Sequence, residues 1–227
     1  AEILFSDFLT VCADPLVNQA AKLRYMSGGQ YSVPMVVRTP GGAGLGMAAQ
    51  HSQSLESWFM NIPGLIIAAP GTVRDCRALL KAAIRSDNPV LFFEHKLLYL
   101  TEGAIPVADD VAPLGVAKVV RSGGDVTLVA LSYMVQVALE AATLLAKEGI
   151  EVEVIDPRTV VPLDTETILT SVEKTRRLIT LEESPVRGGF GAEVVARVAT
   201  RAHGLLASAP LRIGAGDHPI AYNKALE

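Results

Sequence analysis

The chain has 227 residues, 50% of them hydrophobic and 19% charged, with a net charge of −4. This is enough apolar material for one large or two modest globular domains, and it excludes a disordered chain. The acidic balance gives no basic field for nucleic acid and no polybasic membrane patch, and apolar runs such as PVLFFE fall well short of the roughly 18 residues of a membrane span.

The opening AEILF reads as a strand, followed by a helix over about 8–26 that Gly28-Gly29 ends. Cys12 and Cys76 lie in hydrophobic helical patterns without CxxC spacing, so both are expected as small buried thiols of a reducing compartment. Strand 33–38 then leads into a glycine-rich loop at 41–46, a helical segment at about 50–60, strand 64–69, helix 72–86 and strand 89–94. Residues 101–124 carry Pro106, Pro113 and Gly123-Gly124 with little periodicity and read as a crossing between domains. The expected division is a first domain over 1–105, a linker over 106–124 and a second domain over 125–227.

In the second half, the runs at 125–131, 151–156, 177–182 and 210–216 lack strict alternation, as strands covered on both faces do. Between them come a helix over 134–148 that Gly149 ends, a helix capped by Asp164 and a helix over about 190–203. Strand and helix alternating at this spacing give right-handed βαβ units. The expected fold class is therefore α/β, with two doubly wound domains around mostly parallel sheets.

The stretch TPGGAGLGMAAQHSQ places glycines after a strand, but Met47 stands where GxGxxG needs its last glycine, and no GK[ST] follows. The loop is either a tight turn or a place where backbone closely approaches something. His51 follows it at the expected helix start, where a helix N-terminus favours a neutral imidazole and Gln50, Ser52 and Gln53 are candidates to orient the ring. A surface histidine and a proton-transfer residue are both compatible with that position. His95, His203 and His218 lack the spacing of a zinc site, and no GxSxG elbow supports a serine hydrolase, which would expect reactive Ser52 or Ser54. Arg158 in DPRT sits where an α/β sheet contacts ligands, or forms an ion pair between domains. The carbonyls at the helix end over Ala83–Ser86, with the Asn88 oxygen, suit either a monovalent cation or capping by water, Arg or Lys.

Five stretches in order, AAKLRYMSGGQYSVPMVVRTP, AAQHSQSLESWF, IPGLIIAAPGTVRDCRALLKAAIRSDNPVLFFEHKLLY, VIDPRTVVPLDTETI and EESPVRGGFGAEVVARV, resemble the β subunit of thiamine-diphosphate-dependent 2-oxo acid dehydrogenases and of acetoin dehydrogenase. The resemblance runs nearly end to end. It implies a transketolase-like pyrimidine-binding domain, shortened at its N-terminal end, and a transketolase C-terminal domain. It implies an α2β2 heterotetramer with a β–β contact, in which α holds the diphosphate and its magnesium and β presents the aminopyrimidine pocket. A lipoyl-bearing dihydrolipoamide acyltransferase is the implied downstream partner, and the implied location is cytoplasmic, or the mitochondrial matrix.

By the same resemblance, Phe8 lies against the aminopyrimidine with Leu4 beside it, and Gln50 joins the cofactor site. His51 matches the histidine that transfers protons as the acyl group passes to a lipoyl arm. The family's potassium is held at positions matching Met35, Ala83, Ile84, Ser86 and Asn88, with Ser86 standing where many relatives have Asp. The glutamate that protonates the pyrimidine N1′ belongs upstream of anything matching AEILF, and a family tail belongs beyond AYNKALE. The chain therefore reads as a fragment not expected to activate thiamine diphosphate alone. The implied activity is oxidative decarboxylation of pyruvate with acyl transfer to lipoamide. Acetoin dehydrogenase is the close alternative on HKLLY and RGGFGAE, the branched-chain 2-oxo acid enzyme fits less well, and the non-enzyme alternative is a docking or structural subunit.

Overall fold

The computed structural model describes residues 1–104, 110–223 and 225–226. The chain opens not as a strand but as a single parallel bridge, Glu2 to Arg38, with Ile3 N donating to Arg38 O at 2.9 Å. The helix expected over 8–26 is broken into a 3-10 segment Ser6–Cys12, a π segment Pro15–Ala20 and α1, Ala21–Met26. Pro15 has no N–H to continue the ladder, and the backbone re-registers around it. Gly28 and Gly29, both at positive φ, end the run as expected.

Strand β1 (Val36–Gly41) is followed by the glycine loop, then by a single-turn α2 (Glu56–Phe59), far shorter than the helical segment expected over 50–60. Next come β2 (Ile66–Ala68), α3 (Val73–Ile84) and β3 (Val90–His95). The three strands run parallel in the order β1-β3-β2, and every residue of β3 is buried, which is why that stretch shows no alternation. Thr72 caps α3 by accepting from Asp75 N at 3.1 Å, and Ala78, Leu79 and Ala83 pack on Ala68, Val90 and Phe92. Full burial of a leucine or phenylalanine here contributes about 1.5–3 kcal/mol.

The crossing between domains is less loose than expected. Residues 105–109 of it lie outside the described residues, but Ala112 N donates to Ala78 O, Gly115 N to Thr159 Oγ1 and Ala117 N to Asp164 Oδ2. Within the expected linker, Lys118–Arg121 forms β4, antiparallel to the later strand β6 (Val152–Asp156). The second sheet takes β5 (Val126–Ala130), β6 (Val152–Asp156), β8 (Leu178–Pro185) and β9 (Leu211–Ala215) in the order β4-β6-β5-β8-β9, parallel apart from β4. Helix α4 (Met134–Ala146) covers one face. On the other face lie α5 (Thr165–Thr175), capped by Asp164 Oδ1 on Thr167 N at 3.1 Å, and α6 (Phe190–Ala202), which buries Phe190, Val194, Val198 and Ala202 at four-residue spacing.

One strand crosses between the halves. β7 (Thr159–Val161) leaves the second sheet and pairs antiparallel with β2 of the first, Ile67 to Val161 and Ala68 to Thr159. Leu9, Ile67 and Phe93 accordingly share one hydrophobic cluster with Val129, Ile155 and Ile168. Cys12 and Cys76 are free but only partly buried, which departs from the fully buried positions expected; burial still pushes the Cys76 thiol up to about 11. Among the described residues no helix is long and apolar enough to cross a membrane.

Candidate active site

The parallel register puts Gly41 opposite His95 at the carboxyl ends of neighbouring strands, the edge where α/β sheets place ligands. The glycine loop that leaves this edge does allow close approach, but toward the chain's own side chains. A Cβ on Gly42, at φ 88°, would lie 2.0 Å from His95 Nε2, and one on Gly44 would lie 2.5 Å from Leu97 Cδ1.

His51 lies in a bend, not in a helix, so no helix N-terminus faces its imidazole as the sequence pattern implied. Ala48 at φ 61° starts the bend, and His51 N reaches Ala48 O at a long 3.4 Å. The ring is oriented by aromatic edges: Phe5 meets it at 4.5 Å between centroids and 79°, and Phe8 at 5.5 Å and 77°. The expected polar orienters have other roles. Gln53 Nε2 donates to Asp7 Oδ1 at 2.8 Å, Gln50 is exposed, and the Ser52 hydroxyl is buried with no partner among the described residues. Phe8 is 41% exposed, so the cluster presents an open apolar face beside the imidazole, and Leu4, expected beside Phe8, is 66% exposed.

Lys96 reaches this cluster from the 3-10 segment Lys96–Leu100, which directly follows β3. Its Nζ donates to the His51 carbonyl and sits 5.4 Å from the Phe5 ring centroid.

Behind the loop lies a second constellation that the sequence reading passed over. His95 is buried, stacks on Tyr133 at 4.8 Å and 18°, and accepts from Leu97 N on Nδ1 at 3.3 Å. Nε2 then carries the proton and donates to Glu183 at 3.1 Å, across the interface between the sheets. Ser54 Oγ donates to the same carboxylate at 2.7 Å. Burial raises the Glu183 carboxyl, but the hydrogen bonds from His95 and Ser54 hold it below the ordinary carboxylate range. Glu182 goes the other way, raised by burial despite bonds from Ser184 and Gly191 N. Burial also pushes Glu56 up to about 7, with Glu183 and Glu182 adding to the effect. Since Ser54 and His95 both bind one carboxylate, and Ser52 makes no bond to His51, neither serine has an activating base of the hydrolase type.

The residues expected at a potassium site lie where α3 ends and β3 begins, and the carbonyls of Met35, Ala83 and Asn88 already have donors. Met35 O accepts from Val90 N at 2.9 Å, Ala83 O from Ser86 N at 3.1 Å, and Asn88 O from Ser86 Oγ at 3.1 Å. Arg24 Nη1 donates to Asn88 Oδ1 at 2.9 Å, and Ile84 is exposed. Arginine capping is thus present at the Asn88 side chain. Arg158 resolves as the interface ion pair: its Nη2 lies 2.7 Å from Asp75 Oδ1 on α3, and Lys118 Nζ lies 3.6 Å from Asp75 Oδ2. Among the described residues no group of three His, Cys, Asp or Glu side chains is placed to hold a metal ion.

Comparison with known proteins agrees with this architecture. Residues 1–101 match the transketolase pyrimidine binding domain, and residues 115–227 match the transketolase C-terminal domain. The chain is 46% identical over 227 residues to the acetoin:2,6-dichlorophenolindophenol oxidoreductase subunit beta of Cupriavidus necator, covering all of this chain and 67% of that protein. It is 46% identical to the Bacillus subtilis protein of the same name, covering 66% of it. The pyruvate dehydrogenase E1 component subunit beta of Rhizobium meliloti is 43% identical, with 49% of it covered. The chain thus spans between about half and two thirds of the length of these relatives. A solved structure described as a split gene transketolase, inactive beta4 tetramer, superposes with a TM-score of 0.78 at 25% identity, covering 96% of this chain and 67% of that one. Two domain matches in order and identity along the full chain place it in a family: it belongs to the transketolase-type β subunits of the acetoin and pyruvate dehydrogenases.

Proposed function

We propose that this chain forms the pyrimidine side of a thiamine-diphosphate-dependent site that removes an acetyl unit from pyruvate and passes it to a lipoyl acceptor, with His51 as the proton-transfer residue. The observation that carries the reading is the His51 imidazole met edge-to-face by Phe5 and Phe8, with Phe8 41% exposed. A flat aminopyrimidine ring fits such a face, whereas a diphosphate would find little here, because Gly42 and Gly44 pack against His95 and Leu97. Phe8, Leu4 and Gln50 would hold the ring, and an α subunit would close the open face in an α2β2 assembly and bring the diphosphate and magnesium contacts. The bound cofactor supplies the electron sink for cleaving the bond beside the substrate carbonyl.

The chain's own contribution is positional and protic. Phe5 and Phe8 orient His51, and the imidazole holds or delivers a proton at a ring nitrogen as the acyl group leaves for the lipoyl arm of a dihydrolipoamide acyltransferase. A potassium ion on the carbonyls of Met35, Ala83, Ile84, Ser86 and Asn88 would brace the α3–β3 corner. Acetoin is the second reading, favoured by 46% identity to two acetoin oxidoreductase β subunits over 227 residues. Both substrates yield the same two-carbon unit.

The test combines the full-length β chain, an α subunit and thiamine diphosphate, and measures reduction of 2,6-dichlorophenolindophenol with pyruvate, acetoin and 2-oxoisovalerate. Dye reduction with pyruvate supports the substrate reading, and acyl transfer to a lipoyl domain that drops at least a hundredfold in His51→Ala supports the role of the histidine. Turnover on acetoin alone selects the second reading, and none on any substrate leaves a docking subunit.

A further inference from the structure

We infer that Lys96 is a positioning residue for His51, its ammonium fixing the bend that aims the imidazole from one side while Phe5 and Phe8 hold the ring from the other. The inference rests on the reading of His51 as the proton-transfer residue. Lysine is almost never fully buried without compensating contacts, yet Lys96 is only 6% exposed. Its Nζ donates to the His51 carbonyl and faces the Phe5 ring, so one cation touches both the backbone that carries the imidazole and the ring that meets its face.

The far end of the stretch is anchored at Gln53, whose carbonyl accepts from Ser6 Oγ and Gly42 N and whose Nε2 donates to Asp7, while the start of the bend is held more loosely. Ala48 sits at φ 61°, and the His51 N to Ala48 O contact is stretched to 3.4 Å. Lys96, in contrast, stands on a firm base. It follows His95, the last residue of β3, which is pinned by Glu183 at 3.1 Å and stacked on Tyr133. The first sheet and the second domain therefore converge on His95, directly before the residue that grips the histidine, so the bend is tied to a strand end that is itself pinned. Proton transfer is sensitive to such placement, since a displacement near 1 Å costs on the order of a hundredfold in rate.

The test compares Lys96→Met, which keeps the stem and its volume, with Lys96→Arg, which keeps a donor and a cation, in the assembled enzyme. For Lys96→Met we expect kcat to fall about tenfold, KM for pyruvate or acetoin to stay within twofold, and amide hydrogen exchange across residues 48–53 to speed up. Lys96→Arg should restore kcat to within about threefold of the parent. Unchanged exchange at 48–53 in Lys96→Met overturns the inference, and so does a kcat loss that Lys96→Arg fails to rescue. If His51→Ala retains full turnover, the proton-transfer reading falls by itself, and the exchange measurement still decides whether Lys96 holds the bend.

Discussion

Glu183 Oε2 lies 3.1 Å from His95 Nε2, and this contact ties the end of β3 in the first sheet to β8 in the second. Its strength depends on charge. Burial works against the Glu183 carboxylate, but His95 and Ser54 lower its pKa beyond that penalty, so the folded value lies below the ordinary 4.5. A depressed folded value means that the stabilisation is fully present above about pH 4.5 and lost as the pH falls through the folded value. Glu183→Gln should therefore cost about 2 kcal/mol at pH 7 and flatten the acid side of a plot of Tm against pH. An acid side identical to the parent's would show that the pair contributes no charge-dependent stability.

Gly42 meets the same histidine from the loop side. An alanine there would place Cβ 2.0 Å from His95 Nε2 at a φ of 88°, and the ring has no room to yield while Glu183 and Tyr133 hold it. Gly42→Ala should lose about 2–4 kcal/mol, from backbone strain together with disruption of the His95–Glu183 contact. Urea denaturation of the variant checks this, and a loss under 1 kcal/mol would mean that the loop can move away.

Phe8 is half in and half out, and its deletion separates stability from binding. Because 41% of the residue is exposed, Phe8→Ala should cost only about 1 kcal/mol in stability. Loss of an aromatic face for the cofactor, and of one of the two edges on His51, should raise the thiamine diphosphate concentration for half-maximal turnover about tenfold. If that concentration stayed at the parent value, Phe8 would be a packing residue only.

The parts of the fold that the sequence makes legible are those with local signatures. Asp164 announces α5, Gly149 ends α4, and the β-branched runs of β5 and β6 mark strands covered on both faces. The parts it hides depend on distant partners. β4 and β7 are short antiparallel strands whose pairing is supplied by β6 and β2, so nothing in KVVR or TVV alone sets them apart from loop. The His95–Glu183 contact spans 88 residues, and its one local trace is Gly42, whose missing side chain leaves room for the histidine ring. His51 stands out in the sequence, but its surroundings do not. The pattern points to a helix start, whereas the structure puts it in a bend gripped by Lys96 and two phenyl rings.

Asp156 offers a test at the other end of the interface. It closes β6 with no exposed surface; Oδ1 accepts from Arg158 N at 2.8 Å, and Oδ2 has no partner among the described residues. Burial is the largest influence and Asp75 adds to it, so the carboxyl is pushed up to about 7 although Arg158 and Gly71 N pull it down. The sign is opposite to that of Glu183. A folded value above the unfolded 3.8 means that the native state binds this proton more tightly, so its contribution is greatest below about pH 4 and declines until about pH 7. Asp156→Asn keeps the acceptor for Arg158 N and removes the cost of ionising in the core. The full shift corresponds to about 4 kcal/mol, offset by about 2 kcal/mol for an amide group placed where Oδ2 found no partner. The variant should thus be more stable than the parent by about 2 kcal/mol at pH 8 and less stable by a similar amount at pH 4, with the curves crossing between. Denaturant midpoints at the two pH values measure the difference directly, and a difference that does not change with pH would show that Asp156 remains in one protonation state across the range.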